Sequence, residues 1–311
     1  MQKDFLSIFD LTREEILYLL DLSKKLKSWQ KEGKVHIPLQ GKTLALLFLK
    51  PSTRTRLSFQ AGMYQLGGQA IFLSPHEIQL GRGESVRDTA QILSRYINGM
   101  VIRTFAQADV EEMARFASIP VINGLTDLLH PCQILSDVFT IREKLGGLEG
   151  DDPLQGVKIA YVGDGNNMAN SWIEIAARMS LHLAVATPAD YAPDKTVLER
   201  ALKELPSSGG KIEILTDPCQ AVSGAQVVYT DVWASMGQEG EAAERRSHFQ
   251  AYQVNRKLLE LADPQALVMH CLPAHRGEEI TAEVIDGPQS IVLDQAENRL
   301  HVQKAILQTL L

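Results

Sequence analysis

The chain has 311 residues, 45% hydrophobic and 22% charged, the balance of an ordinary globular protein with length enough for two domains. Its net charge of −7 disfavours a nucleic-acid partner, although a basic pocket can sit inside an acidic shell. No apolar run reaches membrane length, the first residues carry no apolar signal core, and Cys132, Cys219 and Cys271 show no C-x-x-C spacing; together these predict a protein of the reducing cytoplasm with no disulfide framework.

Thr12, Arg13, Glu14 and Glu15 form a capping box. The helix they open carries Ile16, Leu19, Leu20 and Leu26 on one face and ends near Gly33. The apolar run at 44–49 reads as a buried strand, and the stretch from Leu57 to Leu66 as a helix ended by Gly67 and Gly68. Between them lies Pro51-Ser52-Thr53-Arg54-Thr55-Arg56. Its hydroxyls and guanidiniums therefore sit at a strand-to-helix turn, where unpaired helix N–H groups already favour an anion. Hydroxyls bond single oxygens and arginine forks bond phosphate in pairs, so the turn predicts a phosphoryl ligand rather than a merely capped helix. No Gly-Lys-Ser/Thr ends it, so it is not a P-loop and implies no nucleotide.

A strand at 69–73 precedes a polar loop, 74–84, that holds Gln79, Gly81, Arg82 and Gly83. That loop reads equally as a mobile surface segment or as one that reaches a neighbour. A helix at 85–97, a strand at 99–105, a helix at 107–117 and a strand at 120–124 follow. Arg103 lies near the carboxyl end of its strand, where ligands of open α/β sheets bind. His130-Pro131-Cys132-Gln133 opens the next helix, with proline in the first turn and His130 and Gln133 beside its mouth.

The glycine-rich, acidic stretch at 146–153 reads as a linker. The alternation then restarts: a strand at 157–162, a turn at 163–168, a helix to 180, strands at 183–186, 212–215, 227–229 and 266–269, and a last helix at 294–311. This predicts an α/β protein of two doubly wound domains, each with a mostly parallel central sheet flanked by helices. The domains are 1–147, with the helix at 294–311 packing back on it, and 148–293.

Gly163-x-Gly165 invites a dinucleotide reading, but position 168 is Met168 and the next strand ends in Ala186-Thr187-Pro188 without the acid that would hold a ribose. A nicotinamide oxidoreductase is therefore disfavoured. Asn166 and Asn167 can hold an amino-acid backbone there or simply cap their own turn. Asp231-Val232-Trp233-Ala234-Ser235-Met236-Gly237 offers an acid, a hydroxyl and a glycine hinge after a strand, which suits a cationic ligand. His270-Cys271-Leu272-Pro273 follows the last strand in the same way. A cysteine there is usually a small hydrophobe, and a reactive thiolate needs a nearby cation. His130, His270 and Cys271 lack zinc-ligand spacing, so no metal is expected.

Taken together, these four motifs resemble, in order and interval, the carbamoyltransferases, and within them the ornithine carbamoyltransferases, over nearly the whole chain. Ser52-Thr53-Arg54-Thr55-Arg56 and His130-Pro131-x-Gln133 are similar to motifs shared with the aspartate enzymes, and the Asp231 and His270 motifs to the ornithine-specific pair. The resemblance implies carbamoyl transfer from carbamoyl phosphate to the side-chain amine of L-ornithine, in arginine metabolism, with no cofactor. It implies that Ser52, Thr53, Arg54 and Thr55 bind phosphate, with Lys50 adding charge. Arg103, His130 and Gln133, with Thr55, would hold the carbamoyl carbonyl, Pro131 and Cys132 would lie in the same pocket, and Arg299 would complete it. Gln79 would come from a neighbouring subunit, implying a homotrimer or a multiple of trimers with shared active sites. Asn167, Asp231, Ser235 and Met236 would hold ornithine, with Cys271 and Leu272 lining the site near its amine. The catalytic group would be Arg103, His130, Gln133, Asp231 and Cys271. Two other readings are a carbamoyltransferase for another amine such as putrescine, and a non-catalytic carbamoyl-phosphate binder; the co-occurrence of Asp231 and Cys271 with an intact phosphate motif argues against the second.

Overall fold

The computed structural model describes residues 2–74, 83–146, 154–205, 210–234 and 239–311. Two compact units divide the chain: 1–139 with 297–311, and 140–296. The linker read at 146–153 falls, apart from Gly146, outside the described residues.

In the first unit the strands are β1 (Thr43–Phe48), β2 (Gln69–Leu73), β3 (Gly99–Arg103) and β4 (Val121–Leu125). The helices are α1 (Arg13–Lys31), α2 (Thr53–Gln65), α3 (Val86–Tyr96), α4 (Gln107–Phe116) and α5 (Pro131–Lys144), the last crossing the division at 139/140. The capping box of α1 is present: Thr12 Oγ1 accepts the Glu15 N–H at 3.2 Å and Glu15 returns the bond to the Thr12 N–H at 2.9 Å. The strands pair in parallel in the order β2-β1-β3-β4. Alternate residues of a strand face opposite sides. Ala45, Leu47, Met100 and Ile102 accordingly pack with Ala90, Val110 and Met113 of α3 and α4. Each of the larger side chains here, Leu, Ile, Val or Met, contributes roughly 1.5–3 kcal/mol on burial. Strand β3 ends at Arg103, two residues before the end expected, and its ladder with β4 shifts register between Ile102 and Arg103.

The second unit holds β5 (Lys158–Val162), β6 (His182–Ala186), β7 (Lys211–Leu215), β8 (Val227–Thr230) and β9 (Leu267–His270). Its helices are α6 (Asn167–Met179), α7 (Lys195–Glu204), α8 (Pro218–Val222), α9 (Ala242–Phe249), α10 (Arg256–Leu259) and α11 (Ala282–Ile285). Helix α12 (Val292–Leu310) begins here and passes into the first unit at 296/297. The strand order is β7-β6-β5-β8-β9, again parallel throughout. Ala160, Val162, Val228 and Val268 meet Ala221, Val222, Leu258 and Val284 from the short helices. The expected class, two helix-flanked sheets, is what the chain forms, and every strand pairing among the described residues is parallel.

Topology then selects one place in each sheet. Neighbouring strands β1 and β3 send their outgoing connections in opposite directions, and so do β5 and β8. Such a switch point opens a crevice at the carboxyl ends of the strands, where ligands of this fold class bind.

Candidate active site

The turn after β1 carries Ser52, which caps α2 by accepting the Thr55 N–H at 3.2 Å. Ser52 also donates to Thr55 Oγ1 at 3.0 Å. Thr55 is buried, Arg54 half-buried and Thr53 exposed. Among the described residues the Arg54 guanidinium has no hydrogen-bond or ion-pair partner, and it lies in the first turn of α2, where helix N–H groups favour an anion. Arg56 is committed elsewhere: its guanidinium lies 3.8 Å from the Phe72 ring centroid and bonds Gln60. Lys50 pairs with Asp127 and lies over Phe105.

Three further elements meet this turn. Arg103 ends β3 and is buried; His130, also buried, precedes α5, and Gln133 lies in its first turn. Arg299 of α12 joins them: one guanidinium nitrogen donates to Thr55 Oγ1 at 2.5 Å, another to Gln133 Oε1 at 2.7 Å. The Gln133 amide is oriented in turn by Asp137 at 2.8 Å. Burial, then the Arg299 and Arg103 guanidiniums, hold the His130 imidazole well below its usual pKa, so it is a neutral ring able to donate one hydrogen bond. Pro131 takes the first position of α5. Cys132 is buried, donates weakly to the Asn123 carbonyl at 3.4 Å, and burial pushes its thiol up to about 12. It is a thiol that packs, not a thiolate. Cations, hydroxyls and two helix N-termini make this an anion site with carbonyl-directed donors.

In the second unit the glycines after β5 serve the backbone. A Cβ on Gly165 would lie 2.4 Å from the Tyr191 carbonyl oxygen, and Gly165 N–H bonds that same oxygen at 2.9 Å. Close main-chain packing accounts for the glycine without a dinucleotide. Asn166 caps α6 through the Met168 N–H at 2.9 Å and accepts from Tyr161 at 3.0 Å. Its amide nitrogen donates to Asp231 Oδ2 at 2.9 Å. The other oxygen of Asp231 accepts from Cys271 Sγ at 3.0 Å. Asn167, half-buried, is the first residue of α6. Asp164 lies in the same turn and pairs with Arg245 at 3.0 Å; Arg245 also holds the Trp233 carbonyl at 3.0 Å. Burial raises the Asp164 carboxyl to about 6, against the pull of Arg245.

Asp231, His270 and Cys271 place one possible metal ligand each within 4.8 Å. Those atoms are already engaged: Cys271 with Asp231, and the His270 ring with Leu272 N–H on one side and Glu279 on the other. The arrangement suits an amine better than a cation that must strip these bonds. Gln79, Ser235 and Met236 lie outside the described residues.

The sequence reading missed Asp137, Asp164, Arg245 and Glu279, and it weighed Asn166 only alongside Asn167. Asp137 carries a local signal, four residues after Gln133 on one helix face. The Asp164–Arg245 ion pair and the Glu279–His270 hydrogen bond have none, since partner choice depends on how strands and loops meet in space.

The fold and these two sites define a two-unit parallel α/β protein with an anion site at one switch point and an acidic, amine-type site at the other. Residues 3–143 match the family model for the carbamoyl-P binding domain of aspartate/ornithine carbamoyltransferase, and residues 155–310 that for the Asp/Orn binding domain. The chain is 57% identical to the ornithine carbamoyltransferase of Syntrophus aciditrophicus, covering 100% of both chains. It resembles the solved ornithine carbamoyltransferase of Pyrococcus furiosus at 52% identity with a TM-score of 0.92, covering 98% of this chain and 95% of that one. The anabolic ornithine carbamoyltransferase of Campylobacter jejuni matches at 38% identity with a TM-score of 0.91, covering 99% of each chain. The chain belongs to the aspartate/ornithine carbamoyltransferase family.

Proposed function

We propose that the protein transfers the carbamoyl group of carbamoyl phosphate to the side-chain amine of L-ornithine, giving L-citrulline and phosphate in arginine metabolism. The observation that carries the choice of ornithine is Asp231, buried and held by Asn166 and Cys271, with Asp164 nearby in the same unit. An aspartate substrate would bring two carboxylates to these acids; an amine finds a matching charge.

Ser52, Thr53, Arg54 and Thr55 bind the phosphate, and Arg103, His130 and Gln133, with Thr55 and Arg299, hold the carbamoyl oxygen. Pro131 sets the start of α5, and Cys132 packs beneath it. The neutral ornithine nitrogen attacks the carbonyl carbon, and charge gathers on the oxygen. Preorganised donors there are the largest catalytic contribution, and the loss of one costs on the order of 100- to 1,000-fold. The carbon–oxygen bond to phosphate then breaks, and the departing phosphate accepts the amine proton. Asp231 orients the nitrogen, Cys271 and Leu272 border it, and Asn167, Ser235 and Met236 hold the amino-acid end.

In this reading residues 1–147, with 294–311 returning to them, form the carbamoyl-phosphate domain and 148–293 the ornithine domain, supported by the two compact units. Gln79 is contributed by a neighbouring subunit of a homotrimer or a multiple of trimers. Three cysteines without C-x-x-C spacing suit a cytoplasmic enzyme, and no helix among the described residues is long and apolar enough to cross a membrane. The test is product formation by the purified protein with ornithine, putrescine and aspartate as acceptors. Citrulline should form far faster than either other product; equal or faster carbamoylation of putrescine or aspartate overturns the assignment.

A further inference from the structure

The loop that carries Cys271 and Leu272 is fixed from behind by a buried pair outside the proposed substrate contacts. His270 ends β9 and is fully buried. The Leu272 N–H donates to His270 Nδ1 at 2.9 Å. That nitrogen therefore presents a lone pair, and the proton of the neutral ring sits on Nε2. Nε2 lies 3.1 Å from Oε1 of Glu279, also fully buried. The same oxygen accepts the His275 N–H at 2.5 Å. Glu279 sits on a rigid turn: its carbonyl accepts the Val254 N–H at 2.8 Å, and the Gly277 N–H bonds the Ile280 carbonyl at 2.8 Å.

What depends on this proton is local. Leu272 has φ 58, a left-handed conformation that a residue with a Cβ rarely adopts. Its bond to Nδ1 helps hold it there. In the other tautomer two N–H groups would face each other, and the turn would shift. Cys271, one residue back, would move with it, away from its 3.0 Å contact with Asp231.

We propose that Glu279 is a positioning residue for carbamoyl transfer: by accepting the Nε2 proton it keeps His270 in the tautomer that holds the Leu272 turn, and so sets Cys271 against Asp231. A carboxylate suits this task because it can only accept; a glutamine amide could also donate to Nε2 and permit the other tautomer. The inference rests on the roles proposed for Asp231 and Cys271 at the ornithine amine.

The test uses the full-length protein with 15N-labelled histidine, the His270 signals being identified by their loss in His270→Asn. In the parent protein near pH 7.5 the ring should be neutral with its proton on Nε2. In Glu279→Gln the other tautomer should appear, and kcat/KM for ornithine should fall about 10- to 100-fold, by analogy with the loss of carboxylates that orient metal-bound histidines. Carbamoyl-phosphate affinity should stay within about twofold of the parent, which also shows that the variant is folded. A parent His270 that is protonated on Nδ1 overturns the proposal whatever the variant does. So does a Glu279→Gln protein with unchanged tautomer, whether its ornithine kinetics hold or fall. Absence of citrulline formation by the parent would instead strike the proposed function, and the tautomer reading would stand as a separate result.

Discussion

At the β1/β3 switch point the strand ends deliver Arg54, Arg103, Arg299 from α12 and a neutral His130. At the β5/β8 switch point the equivalent ends deliver Asp164, Asn166 and Asp231, with Cys271 from the neighbouring β9. The two crevices arise from one topological rule and differ in the sign of what lines them. Strand order thus chooses the place, and side chains choose the ligand: in the proposed reading, an oxyanion and a carbonyl in one unit and an amine in the other.

The comparison breaks most sharply at Arg54. Replacement by alanine removes the guanidinium from the proposed phosphate site, and kcat/KM for carbamoyl phosphate should drop on the order of 1,000-fold. Arg54→Lys should remain badly impaired, since an ammonium cannot form the paired fork. Steady-state kinetics with carbamoyl phosphate varied decide it; a lysine variant with near-parent affinity means phosphate is bound elsewhere.

On the acidic side, Asp231→Asn keeps shape and loses charge. We expect kcat/KM for ornithine to fall on the order of 100-fold, with carbamoyl-phosphate affinity little changed. Equilibrium binding and initial rates separate the two substrates. A variant that loses carbamoyl-phosphate affinity as severely as ornithine turnover would show that the two sites do not divide the substrates by charge.

How far each site could be read in advance follows the same division. The anion turn is local: strand, hydroxyls, arginine and cap lie within a dozen residues, so periodicity and donor chemistry locate it. Even there donor chemistry alone treats the two arginines of the motif alike, and only the resemblance singles out Arg54; the structure turns Arg56 onto Phe72 and gives Arg54 no such partner among the described residues. Arg299 is 244 positions from the Thr55 hydroxyl it bonds, so no spacing rule could join them; its expected role came from family resemblance alone. The acidic site is less legible: Met168 and the missing ribose acid argue against a dinucleotide at Gly163-x-Gly165, but what the glycine does instead, the close approach of Tyr191 to Gly165, exists only in space. Strands were visible as apolar runs, whereas helix α7 escaped notice although Asp194 caps it and Val197 and Ala201 mark its buried face.

Cys271 tests a finer point, whether the acidic site works by contact or by covalent chemistry. The thiol donates to Asp231, so Cys271→Ser keeps a polar tip in nearly the same place and should lower ornithine kcat/KM by only about tenfold. Direct attack by the amine needs no carbamoyl-enzyme. Intact-mass measurement after rapid mixing with carbamoyl phosphate alone should show no added carbamoyl group; an adduct on Cys271 formed at the turnover rate would make it a nucleophile.

The smallest effect contrasts the two units by pH rather than by substrate. In the first unit His130 is held well below 6.5 by burial and two arginines. The unfolded chain binds its proton more readily, so this group's contribution is intact above about pH 6.5 and is lost as pH falls toward the folded value. In the second unit Asp164 is raised from 3.8 to about 6, chiefly by burial. Here the folded chain binds the proton more readily, so the contribution is fully present below pH 3.8 and is lost as pH rises to about 6. Between pH 4 and 6 the two units should therefore respond in opposite directions, each group contributing at most about 1.4 kcal/mol per pH unit. Amide exchange, corrected for its intrinsic pH dependence and read separately around α5 and around α6, resolves the units. His130→Gln should flatten the slope in the first and leave the second; Asp164→Asn should do the reverse. Slopes of the same sign in both units, or insensitivity to either substitution, would mean that other groups dominate the acid response and that the opposed chemistry of the two crevices stops at substrate binding.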